Sequence, residues 1–154
     1  MNKQEKYTAT LREIEVRLEK GGNLFSDIGN SLAVIGKRFE HFWLGVYLLQ
    51  DRQLVLGPFQ GPPACVFLSL DAGVCAACVR EKRSIIVPDV TVFPGHVACD
   101  PRSRSELVVP LFDRNARIRG VLDVDSDKAD AFDEIDREGL EKVGCLLQPL
   151  WEPV

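Results

Sequence analysis

Thiol groups are concentrated in the middle of this chain of 154 residues. Four of its five cysteines lie between residues 65 and 99: Cys65, Cys75, Cys78 and Cys99. Cys75-x-x-Cys78 and His96-x-x-Cys99 together offer the Cys₃His ligand set of a structural zinc site. Packing without chemistry is a second interpretation, because free cysteine is among the most buried residue types, and it fits Cys78 and Cys145 best.

Redox catalysis is the third interpretation of these thiols. Cys75 falls in the first turn of a predicted helix, where free N–H groups and the helix dipole favour a thiolate. Cys99 falls in a loop rich in Pro and Gly, beside His96 and before Arg102 and Arg104, and basic neighbours lower a thiol pKa. Such a thiolate could attack an oxidised small molecule, after which a second cysteine would capture the sulfenic acid as a disulfide.

Hydrophobic periodicity predicts the elements that position these residues. Two helices span about 3–38, a short helix spans about 73–81, and a last helix spans about 132–151. Apolar runs typical of strands occupy 42–49, 54–57, 65–70, 84–87, 106–112 and 118–126. We therefore expect an α+β fold, with a mostly antiparallel sheet of five or six strands over about 42–126. Helices should pack on one face, and a loop-covered pocket should lie on the other.

Composition narrows the classes of protein that fit. The chain is 45% hydrophobic, which suits one domain over residues 1–154, and no apolar run reaches the ~20 residues of a membrane span. Its charged N-terminus lacks the apolar segment of a secretory signal, which predicts a cytoplasmic protein. The net charge of −4 without a basic cluster argues against nucleic-acid binding. An odd number of cysteines in a reducing compartment argues against a framework of structural disulfides.

Three carboxylates are predicted to converge beneath the loop that holds Cys99. Asp123 and Asp125 alternate along one strand and so share a face, and Glu106 should lie beside them on the neighbouring strand. They form either a solvated sheet face or a pocket for an ammonium group or a proton donor. Trp43 and Tyr47 also share a strand face, and they are either core residues or an aromatic wall of that pocket.

Several ordered stretches of the sequence resemble one enzyme family. They are LGPFQGPPACV (56–66), GVC (73–75), VPDV (87–90), FPGHVACDPRSRSELVVPLF (93–112) and GVLDVDS (120–126). Over roughly residues 24–145 the chain resembles the free methionine-(R)-sulfoxide reductases, which are stand-alone GAF-domain enzymes. The resemblance implies a single GAF domain. It also implies reduction of free L-methionine-(R)-sulfoxide with no bound cofactor or metal and with thioredoxin, recharged by thioredoxin reductase and NADPH, as the external reductant.

The resemblance also implies roles for particular residues. Cys99 matches the nucleophile of the family, while Cys65 and Cys75 match its possible disulfide partners, of which we favour Cys65. Cys78 departs from the small residue that is usual at its position. His96 would either assist thiolate formation or shape the loop.

The pocket residues match the family as well. Glu106, Asp123 and Asp125 match its carboxylates, with Glu106 or Asp125 as the proton donor, and Trp43 and Tyr47 match the aromatic residues that enclose the S-methyl group. By analogy with the fold, a homodimer through the first helix is expected. The alternative function is a GAF module that binds a small ligand or senses redox state without catalysis.

Overall fold

Four helices form where the sequence offers apolar faces and polar caps. The computed structural model describes residues 1–96 and 99–152, and its α-helices are α1 (Lys3–Leu18), α2 (Leu24–Gly36), α3 (Val74–Glu81) and α4 (Glu134–Leu147). The Asn23 side chain accepts a hydrogen bond from the Ser26 N–H, so it caps α2 as its residue type predicts. Within these described ranges, every helix is too short or too polar to span a bilayer.

In the described part of the chain, six strands form one antiparallel sheet. They are β1 (Trp43–Gln50), β2 (Gln53–Gln60), β3 (Phe67–Ser69), β4 (Ile85–Val87), β5 (Ser105–Phe112) and β6 (Ile118–Ser126), in the order β3-β2-β1-β6-β5-β4. The predicted α+β architecture is therefore confirmed. β3 is shorter than the run 65–70 predicts, because the chain enters the sheet only after Cys65, which is bonded to another loop.

The two faces of the sheet carry two separate apolar clusters. One face buries Leu44, Val46 and Leu122 against α1, α2 and α4. The other face packs Val108 and Val121 against α3 and the loops beside it. Because α3 has only eight residues, it covers this second face in part and leaves a hollow next to it.

The prediction that Cys145 packs inside the last helix is wrong. Cys145 is exposed, while Leu140, Val143 and Leu147 form the buried stripe of α4. Each residue turns the helix by about 100°, so a position two residues after Val143 lies on the opposite side. Cys78, in contrast, is completely buried, as the packing interpretation predicts.

Candidate functional site

Three neighbouring strands form the floor of the candidate site. In the register of the sheet, Asp125 of β6 lies opposite Trp43 of β1 and Glu106 of β5, and Asp123 lies opposite Gly45. Side chains directly opposite each other in an antiparallel pair project to the same face. The strands therefore bring all three predicted carboxylates together on the face that α3 leaves partly open.

A cavity with about 70 Å³ of water-accessible space lies over this floor. Seven of the predicted site residues line it: Trp43, Tyr47, Cys75, Cys99, Glu106, Asp123 and Asp125. Cys65 follows the lining residue Ala64, and His96 also lines the cavity. The structure thus assembles one site from residues that are far apart in the chain, from Trp43 to Asp125.

An aromatic wall closes one side of the cavity. The rings of Trp43 and Tyr47 stack with centroids 5.9 Å apart, and both side chains are buried. A Cβ at Gly45 would lie 2.5 Å from the Trp43 ring, so only glycine lets that ring lie across the strand. The Tyr47 hydroxyl donates to the Cys65 carbonyl at 2.8 Å, and Trp43 Nε1 donates to the Pro62 carbonyl at 3.1 Å. These two bonds fix the loop that carries Cys65 over the sheet.

The buried carboxylates differ in their tendency to hold a proton. Burial, reinforced by Asp123 and Asp125, raises the pKa of Glu106 well above its usual value. Burial and the charge of Asp123 do the same for Asp125, although the Ser103 hydroxyl donates to it at 2.8 Å. The pKa of Asp123 is raised by burial but opposed by hydrogen bonds from Glu106 and Cys75. Because only Asp123 is stabilised by hydrogen bonds from Glu106 and Cys75, it is the carboxyl group of the three that ionises most readily.

A disulfide joins Cys65 to Cys99 at the cavity mouth, with Cα atoms 5.6 Å apart. That separation lies inside the ~7 Å limit for a bridge without backbone movement. Because the Cys99 sulfur is bonded to Cys65, it cannot ligate a metal ion, and the Cys₃His zinc set that the sequence suggested does not form in this oxidised state. Between the two possible partners of Cys99, the structure pairs it with Cys65 and leaves Cys75 free.

The expectation that Cys75 is a thiolate is wrong. Its thiol is buried, and burial together with Asp123, Glu106 and Asp125 raises its pKa well above the usual value. Those carboxylates come from β5 and β6, so burial first and acidic neighbours far away in sequence second outweigh the helix dipole at Cys75. Burial also raises the pKa of Cys78 to about 12, which leaves that thiol inert at neutral pH.

Arg102 and His96, which were expected to lower the pKa of the Cys99 thiol, have other contacts and charge states in the structure. Arg102 forms an ion pair with Asp100 at 2.8 Å, and its guanidinium group lies 4.8 Å from the centroid of the Phe42 ring. Burial lowers the pKa of His96, so its imidazole is neutral at pH 7 and adds no positive charge. Sequence reasoning also missed Ser103, although a hydroxyl three residues before Glu106 was a visible signal.

Comparisons with known proteins agree with this geometry. The family model described as GAF domain matches residues 27–146. GAF domain-containing protein A of Dictyostelium discoideum is 44% identical, covering 95% of this chain and 92% of that protein. The free methionine-R-sulfoxide reductase of Escherichia coli is 39% identical, covering 96% of this chain and 90% of that protein. A solved structure of the free methionine-R-sulfoxide reductase from Neisseria meningitidis, in complex with its substrate, is 37% identical with a TM-score of 0.94, covering 98% of this chain and 91% of that one.

Proposed function

This chain belongs to the GAF domain family and to the free methionine-R-sulfoxide reductases, and on that premise we propose that it reduces free L-methionine-(R)-sulfoxide to L-methionine. The observation that supports the proposal most is the Cys65–Cys99 disulfide at the mouth of a cavity lined by carboxylates. A nucleophilic cysteine already bonded to its partner is the state expected after turnover.

The substrate has a charged end and an apolar end, and the cavity matches both. The ionised Asp123 receives the ammonium group of the amino acid, with Asp125 beside it. The S-methyl group lies against the ring of Trp43, with Tyr47 behind it. This orientation places the sulfoxide between the aromatic wall and Cys99.

Oxygen transfer needs one nucleophile and one proton. In the reduced protein the Cys99 thiolate attacks the sulfoxide sulfur, and a neutral carboxyl group, Glu106 or Asp125, donates a proton to the departing oxygen. The oxygen moves to the Cys99 sulfur as the S–O bond of the substrate and the newly formed S–S bond both break, so methionine leaves and Cys99 becomes a sulfenic acid. Glu106 suits the donor role because burial raises its pKa and so favours the protonated form.

The second half of the cycle returns Cys99 to the thiol. The Cys65 thiol attacks the Cys99 sulfenic acid, which releases water and forms the disulfide. Thioredoxin then reduces that disulfide, with NADPH as the ultimate electron source, and an exposed Cys99 is accessible to it. We place the cycle in the cytoplasm, where reduced thioredoxin is maintained. Use of Cys65 rather than Cys75 rests on the pairing of residues 65 and 99. The homodimer through α1 stays a prediction that the mass in solution would test.

A coupled assay tests the proposal. Purified protein is mixed with thioredoxin, thioredoxin reductase and NADPH, and the R and S epimers of free methionine sulfoxide are added separately. We expect NADPH oxidation with the R epimer alone and its loss in Cys99→Ser. Cys145→Ser is the matched control, because that thiol is exposed and outside the site, and it should keep full activity. Binding of the sulfoxide without its consumption would refute the proposal and support a non-catalytic module.

A further inference from the structure

One thiol of the site has no part in the proposed cycle. Cys75 is buried and reduced, and the carboxylates of Asp123, Glu106 and Asp125 contribute to the raised pKa of its thiol. The Cys75 sulfur and one carboxylate oxygen each of Glu106 and Asp123 all lie within 4.8 Å of one another. The ligand atoms of a tetrahedral zinc ion lie about 3.5 Å apart, as its ~2.0–2.3 Å bonds require. Side-chain movements of about 1 Å would therefore bring the three ligand atoms to the separations that a zinc ion requires.

An unsatisfied oxygen inside the cavity points independently to a ligand. Asp123 is 6% exposed, and its Oδ1 atom has no hydrogen-bond partner among the residues that the structure describes. A buried acceptor without a partner is costly, so a positively charged group in the cavity would relieve it. Asp123 is one of the residues that line the cavity.

The chemistry of the donors identifies the class of ion. Metal binding would displace the protons of the Cys75 thiol and the Glu106 carboxyl group, and the resulting sulfur ligand selects Zn²⁺ or Cd²⁺ over Mg²⁺ and Ca²⁺, because those ions prefer oxygen alone. We propose that Cys75, Glu106 and Asp123 bind a soft divalent cation such as Zn²⁺. Two carboxylates complete the set, and a water molecule can take the fourth position of the ion.

A cation at this position has a consequence that rests on the proposed function. It would occupy the place of the substrate ammonium at Asp123 and hold Glu106 in its ionised form. Zn²⁺ therefore acts as a reversible inhibitor that competes with methionine sulfoxide. Cys75 then has a role distinct from Cys65, since it makes the reductase sensitive to free zinc.

The test measures metal binding separately from activity. Full-length protein carrying Cys145→Ser is kept oxidised, so that the Cys65–Cys99 disulfide removes those two thiols from competition, and it is titrated with Cd²⁺. The ultraviolet charge-transfer absorption of a cadmium–thiolate bond should saturate at one ion per chain. Adding Cys75→Ser should remove the absorption. Adding Cys78→Ser should leave it unchanged, since that cysteine is equally buried on the same helix but is not among the three ligands.

A second measurement keeps the inference testable if Cys75→Ser fails to fold. Equilibrium dialysis of the oxidised protein against Zn²⁺ should give an apparent Kd at least about tenfold higher in Asp123→Asn than in the unmodified chain. Absence of cadmium–thiolate absorption in the folded protein, or its persistence in Cys75→Ser, would overturn the metal site. Zinc binding by a protein that reduces no sulfoxide would leave the site standing and refute the proposed function instead.

Discussion

The replacement Glu106→Gln should stabilise the protein at neutral pH while it slows the reaction. Gln has the shape of a protonated Glu and can still donate a hydrogen bond to Asp123, but it cannot ionise. Because burial raises the pKa of Glu106 in the folded protein, the folded state keeps a proton that the unfolded chain releases above about pH 4.5. The free energy of unfolding therefore falls as pH rises from about 4.5 to the folded pKa.

The size of the effect follows from that single proton. One proton of difference changes the free energy of unfolding by about 1.4 kcal/mol per pH unit. A domain of this size shifts its Tm by about 2–4 °C for each kcal/mol, so the wild-type loses about 3–6 °C per pH unit to this group. Glu106→Gln removes that loss, and its advantage should be absent at pH 4 and should grow with pH up to the folded pKa of Glu106.

Thermal and urea unfolding of the oxidised protein between pH 4 and pH 8 would measure the difference. Keeping the Cys65–Cys99 disulfide intact holds the covalent state constant. Glu40→Gln is the matched control, because Glu40 is exposed, and its effect should stay within about 0.5 kcal/mol at every pH. Parallel pH profiles for the wild-type and Glu106→Gln proteins would refute the assignment of a proton to this buried carboxyl group.

Two further predictions concern the disulfide partner of Cys99 and the buried imidazole of His41. Without reductant, reduced Cys65→Ser should release about one methionine per chain and then stop. With thioredoxin, Cys75→Ser should sustain turnover. Sustained methionine release by Cys65→Ser would exclude Cys65 as the disulfide partner of Cys99. Burial lowers the pKa of His41 to about 4, so the unfolded chain binds one more proton between about pH 4 and pH 6.5. The free energy of unfolding should therefore fall by about 1.4 kcal/mol for each pH unit from 6.5 down to about 4. In urea unfolding, His41→Gln should flatten that slope. An unchanged slope would contradict the buried neutral imidazole.

The local features of this site could be predicted from the sequence because strand geometry is periodic. Alternation along 118–126 placed Asp123 and Asp125 on one face, and the apolar runs located all six strands. The charge state of Cys75 could not be predicted in that way. It depends on carboxylates from distant strands that lie beneath the helix, and burial with like charge outweighs the local dipole.

Contacts made by loop residues could not be predicted from the sequence either. Arg102 is two residues from Asp100, and whether it faces that carboxylate or the thiol at position 99 depends on a loop conformation that no periodicity encodes. The position of α3 over the pocket face follows from the packing of Val108 and Val121, which becomes visible only once the sheet order is known. Family resemblance supplied the residue roles, and the geometry supplied the cavity and the protonation pattern that connect them.

The proposed reaction transfers the substrate oxygen to the sulfur of Cys99, and isotope labelling can follow that oxygen. Reduced Cys65→Ser is mixed with free methionine-(R)-sulfoxide labelled with ¹⁸O at sulfur, quenched after a single turnover, and digested for peptide mass spectrometry. We expect one heavy oxygen on the peptide that contains Cys99, in an amount equal to the methionine released. Methionine release with the label on any other residue, or with no label on the protein, would contradict it.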